Sequence, residues 1–128
     1  MIANNAYNVY KNNSVNYASK DQLLLMLVDG AVKYSKIGRQ AIEDKDVKKS
    51  HENIVKTQDI FYELLNSLDR KSGLEWVDSM ESIYLFIIDR LVQANIKKDV
   101  AIMDEVIPLI ENVRDTWHEA YKIAKNVR

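Results

Sequence analysis

The chain has 128 residues, 47 % of them hydrophobic and 29 % charged, with a formal net charge of −1. That balance fits one globular domain able to close a core, and its interleaved lysines and acids leave no basic stripe for nucleic acid and no acidic tail. The lack of cysteine excludes disulfides, thiolate metal sites and a cysteine nucleophile, while three glycines and one proline are few for a sheet protein and point to long helices on short connections.

Residues 1–19 differ from the rest. They hold six asparagines, one lysine and no acid, together with Tyr7, Tyr10 and Tyr17. Asparagine favours turns and extended backbone over helix, yet a disordered tail seldom carries this much aromatic surface. The expectation is a partly ordered N-terminal arm, extended or a short helix, whose Tyr7, Tyr10 and Val15 dock on an apolar surface of the domain. Met1–Asn5 has neither the charged nor the apolar region of a signal peptide. The longest apolar runs, Leu23–Val28 and Ile83–Ile88, are too short to span a bilayer, so no membrane insertion is expected.

A domain over 20–128 follows, with helices at about 20–44, 47–68, 73–98 and 100–125. Ser19 and Gln22 form a capping box for the first. Its run Leu23-Leu24-Leu25-Met26-Leu27-Val28 covers every side of a helix, more than one buried face requires. Gly30 and Gly38 lie near one face and suggest close helix packing. The second helix opens on Asp46 as N-cap and shows a single stripe through Ile54, Thr57, Phe61, Leu64 and Leu68. Asp69–Gly73 reads as a turn, with Ser72 and Glu75 expected to cap the third helix. There Val77, Met80, Tyr84, Ile87, Leu91 and Ala94 give an inward stripe, while Trp76, Ile83, Leu85, Phe86, Ile88 and Val92 are left over. Asp99 caps the fourth helix, whose stripe from Met103 to Ala124 runs through Pro108 without losing phase, so a kink is expected there and not a break. Four long helices on short turns make an all-α, antiparallel four-helix bundle.

Catalytic chemistry finds no support in this pattern. A di-iron bundle needs paired Glu-x-x-His motifs, and the two histidines, His51 and His118, have lysine and aspartate three residues before them. There is no phosphate loop and no zinc-protease motif, so no catalytic residue, cofactor or metal is assigned. A histidine phosphotransfer bundle using His51 is an alternative, weakened by the acidic Glu52 beside it. A structural homo-oligomeric module, pairing its surplus faces with copies of itself, is another.

Several stretches carry a family likeness. Ala6-Tyr7-x-x-Tyr10 precedes Ala18-Ser19-x-x-x-Leu23-Leu24-Leu25-Met26-Leu27-x-Asp29-Gly30-Ala31. Lys56-x-Gln58-Asp59-Ile60, Leu64-x-x-Ser67-Leu68-Asp69, Arg90-Leu91-Val92-x-Ala94-Asn95 and Arg114-Asp115-x-Trp117 follow in order. Collinear from Ala6 to about Ala120, the chain resembles the flagellar secretion chaperone family, FliS. It departs from the family at Lys20, where a proline is common, and at Val28, where a tyrosine is frequent. The resemblance implies a non-catalytic cytoplasmic chaperone. Such a protein holds the disordered C-terminal segment of flagellin, prevents its premature polymerisation and delivers it to the flagellar export gate. The surplus apolar surface on the first and third helices would supply the groove, with self-association as a further use of that surface when the protein is free. The side chains expected at the groove are Tyr7, Tyr10, Val15, Leu24, Val28, Ile83, Phe86 and Ile88.

Overall fold

The computed structural model describes residues 19–127, and of Val127 the backbone only. The expected arm and its Tyr7, Tyr10 and Val15 lie outside the described residues. The described residues form four helices: α1 (Lys20–Glu43), α2 (Val47–Ser67), α3 (Glu75–Lys97) and α4 (Val100–Val127). They neighbour one another in chain order, and α4 closes the ring against α1. There is no strand among the described residues.

Each helix start has a local cause. Ser19 Oγ accepts from the Gln22 N–H at 3.2 Å while Gln22 Oε1 accepts from the Ser19 N–H at 3.0 Å, so the capping box is complete. Asp46 Oδ1 accepts from the Lys49 N–H at 3.1 Å at the head of α2. Asp99 Oδ1 accepts from the Ala101 N–H at 2.8 Å at the head of α4. The expected Ser72–Glu75 box does not form. Gly73 has φ +73°, a left-handed conformation that cannot serve as the first helical residue, so α3 opens two residues later. Leu74 occupies the N-cap position without a side-chain cap bond, and Ser72 Oγ accepts from the Leu74 N–H at 3.2 Å.

The helix ends explain the short turns. After α1, Lys45 enters the left-handed region (φ 57°), the Lys45 N–H bonds the Ile42 carbonyl at 3.0 Å and the Asp46 N–H bonds the Ala41 carbonyl at 2.9 Å. This pair of bonds is a Schellman closure, which satisfies the last carbonyls and reverses the chain. Lys98 (φ 50°) does the same after α3, where the Asp99 N–H reaches the Ala94 carbonyl at 3.3 Å. Turns this short leave sequential helices antiparallel. Helix α4 runs unbroken through Pro108, which is exposed. A proline ring there needs no room in the core, and Ile110 and Val113 resume the buried stripe beyond it.

The core draws one stripe from each helix. Val28 and Ala31, Ile54, Phe61 and Leu64, Tyr84, Ile87 and Leu91, and Met103, Val106 and Ile110 meet along the axis. Phe61 and Tyr84 pack edge to face with centroids 5.8 Å apart. Helices α1 and α2 approach closely at Gly38, where a Cβ would sit 3.0 Å from Ile54 Cγ1 and 3.4 Å from the Ile54 backbone nitrogen. Gly30 is looser: a Cβ there would make ordinary contact with Ile60 at 3.4 Å. Close packing therefore accounts for Gly38 and not for Gly30.

Candidate apolar binding surface

The surplus apolar residues separate into two fates. In α1, Val28 is 1 % exposed and belongs to the core, and Leu24 and Leu27 pack against it from the edge. Placing Val28 at an outward groove is thus corrected: the next turn of α1 turns it toward the axis with Ala31 and Val32. Ile88 is corrected likewise. It is 6 % exposed, one residue from Ile87 on the inner arc of α3. Ile83 and Phe86 stay on the surface, 40 % and 48 % exposed, and Trp76 is 50 % exposed.

Trp76, Ile83 and Phe86 fall on one flank of α3, within about 80° of one another: seven residues return the helix to within about 20° of its starting angle and three more turn it about 60° further to the same side. That flank borders α4. Arg90, seven residues after Ile83, reaches Glu105 with Nη2 3.6 Å from Oε2. At the other end Trp76 packs edge to face against Trp117 of α4, centroids 5.9 Å apart at 77°. The register set by these two contacts brings Phe86 level with half-buried Leu109. The strip is about 15 Å long from Trp76 to Phe86 at the helical rise per residue. Arg90 Nε is buried along this seam and has no hydrogen-bond partner among the described residues.

The strip runs into a groove of about 570 Å³ at the pole where α1 begins, α2 ends and α3 begins. Leu24, Leu27, Leu68, Leu74, Trp76 and Trp117 form its apolar wall, and Lys20, Asp21 and Glu63 stand at its border. Trp117 is fixed in place: its Nε1–H donates to the Tyr84 hydroxyl at 2.9 Å. Burial pushes the Tyr84 hydroxyl above its ordinary value, and this bond works the other way. Tyr84 is held neutral, and one wall of the groove is tied to the core.

Of the side chains expected from the sequence, Leu24 lies in the polar groove's apolar wall and Ile83 and Phe86 lie on the strip. Trp117 and Leu68 also line the groove, although the spacing places both in inward stripes. Each sits near the end of a stripe, where the bundle opens, and stripe phase alone does not signal that. The histidines serve surface contacts. His51 Nδ1 is 2.9 Å from Asn95 Nδ2, and His118 Nε2 is 2.7 Å from Asp29 Oδ1 across the α1–α4 seam. Among the described residues no helix is long and apolar enough to cross a membrane, and no cluster of three or more potential metal ligands occurs.

The chain matches the family described as Flagellar protein FliS over residues 3–124. It is 38 % identical over its full length to the flagellar secretion chaperone FliS of Bacillus subtilis, covering 95 % of that protein. It is 29 % identical over 121 residues to the FliS of Campylobacter jejuni, covering 94 % of both chains. With the Escherichia coli FliS it shares 31 % identity over 104 residues, 80 % of this chain and 76 % of that one. A crystal structure of a bacterial flagellar chaperone superposes with a TM-score of 0.72 over 92 % of this chain and 96 % of that one, at 15 % identity, which speaks for the fold. The chain belongs to the FliS family of flagellar secretion chaperones, which are chaperones and not enzymes.

Proposed function

We propose that this protein is a cytoplasmic chaperone for flagellin. It holds the apolar C-terminal segment of its client along the Trp76–Ile83–Phe86 strip and in the polar groove, keeps that segment from polymerising, and delivers it to the export gate. The observation that supports this most is the continuity of the strip with the groove. A segment that is apolar on one side when helical would cover both, which is helix-in-groove recognition. A contiguous apolar strip exposed on a small domain marks an interaction site. Arg90 Nε offers a donor within the seam for a client carbonyl.

Titration with a synthetic C-terminal flagellin segment tests the reading. The expected result is a 1:1 complex with a negative heat-capacity change in calorimetry and a gain of helix in circular dichroism. No binding at micromolar concentration overturns it. In the absence of client, the arm with Tyr7, Tyr10 and Val15 shields apolar surface, and a second copy competes for the same strip. Removing residues 1–15 is then expected to raise the fluorescence of an apolar dye, and client to suppress any concentration dependence of the mass in sedimentation.

A further inference from the structure

Tyr84 carries a polar group where the packing has no use for one. The residue is 1 % exposed, belongs to the core stripe of α3 and packs edge to face on Phe61 with centroids 5.8 Å apart. A phenylalanine would fill the same space and make the same ring contact, and a hydroxyl taken out of water is costly unless it is bonded. Its hydrogen bond leads out of the core, to the Nε1–H of Trp117 at 2.9 Å. Long side chains on a helix lean toward its N-terminus. The Tyr84 ring therefore points toward the pole where α3 begins and the groove lies.

Trp117 stands where packing alone does not set its angle. Val113 is the last buried residue of α4 before it, and none of residues 118–126 is buried. Its other ring contact is with Trp76, a side chain that is itself 50 % exposed. An indole free to turn there would change the groove, because Trp117 is part of the wall and about 570 Å³ of open space lies beside it.

We infer that Tyr84 is a positioning residue for client binding: its hydroxyl fixes the Trp117 indole and keeps the groove in the shape that receives an apolar segment. This role rests on the function proposed above and names the core residue that sets the groove. A wall already in place spares the cost of ordering a loose side chain on binding, so a residue buried out of a client's reach still acts on affinity.

Tyr84→Phe removes one oxygen and tests the role. The chain's two tryptophans give two indole signals in nitrogen-15 spectra. That of Trp117 is expected to shift more than that of Trp76 in the variant and to exchange faster with solvent, a readout that needs no client. Melting temperature and helix content are expected to stay nearly the same, because half-buried Trp117 finds water in place of the hydroxyl. Affinity for a synthetic C-terminal flagellin segment is expected to fall about three- to tenfold, the net worth of one hydrogen bond. Trp117→Phe is expected to weaken binding too, and Tyr84→Phe added to it to cost no further affinity, since the hydroxyl acts only through the indole. An indole signal that does not move, a further loss in the double variant, or a melting temperature that falls together with binding overturns the role. No binding by the unaltered protein overturns the function proposed above and this role with it, whereas binding that Tyr84→Phe leaves unchanged overturns this role alone.

Discussion

Single positions in this bundle are set by how near another backbone comes. At Gly38 a methyl group would press on the buried, β-branched Ile54 and then on its backbone nitrogen, which cannot step aside. Alanine is the better helix former by about 1 kcal/mol, but overpacking a tight contact costs about 1–3 kcal/mol. Gly38→Ala is therefore expected to lower stability in urea titration, and Gly30→Ala, with ordinary contacts, to raise it by up to about 1 kcal/mol. The sequence shows two glycines eight apart and cannot distinguish them, because their difference is the local distance to α2. Lys45 poses the converse case: an L-residue held at φ 57° to close α1. Lys45→Gly removes the Cβ strain of that conformation and should stabilise the fold by about 1 kcal/mol, read as a higher denaturant midpoint at unchanged slope.

At the scale of the element, α1 and α4 are joined by polar contacts that no motif announces. Asp29 meets His118, Lys36 Nζ lies 3.3 Å from Glu111, and Arg39 binds both Glu43 and Asp104. The hydrogen bond from Arg39, with its charge, holds the Asp104 carboxyl below the ordinary carboxylate value. A depressed folded-state value contributes stability that is present above the unfolded value, about 3.9, and lost as pH falls through the folded one. Asp104→Asn is thus expected to lower the melting temperature slightly at neutral pH, the gap closing as pH falls below about 3.9. Salt should narrow the neutral-pH gap, since both side chains are substantially exposed. Across the α3–α4 seam the single pair Arg90–Glu105 stands in place of such a ladder among the described residues, and Ile83 and Phe86 fill the remaining flank.

For the whole molecule, the consequence is an uneven surface. The α1–α4 seam is sealed by charge and the α3–α4 seam presents apolar side chains to water. Phe86→Asp places a charge on the strip without touching the core. It is expected to leave the melting temperature nearly unchanged while weakening binding of a flagellin C-terminal segment by about tenfold or more, the loss typical of a large apolar interface residue. A melting temperature that falls together with binding would move Phe86 from recognition to stability.

The number of helices, their caps at Ser19, Asp46 and Asp99 and their inward stripes are properties of local sequence. Hydrogen-bonding geometry at a helix end and a 3.6-residue period act over a few residues, so they are legible without a fold. So is the surplus of apolar residues on α1 and α3. Which of that surplus remains outside is not local. The run in α1 is largely absorbed: Leu23 and Val28 are buried, Leu24 and Leu27 pack against the core and line the polar groove, and Met26 stays outside. The same kind of run in α3 is divided, Ile88 within and Ile83 and Phe86 without. An apolar side chain is buried only where a neighbouring helix comes close enough to exclude water, and only the packing of the four helices fixes that distance.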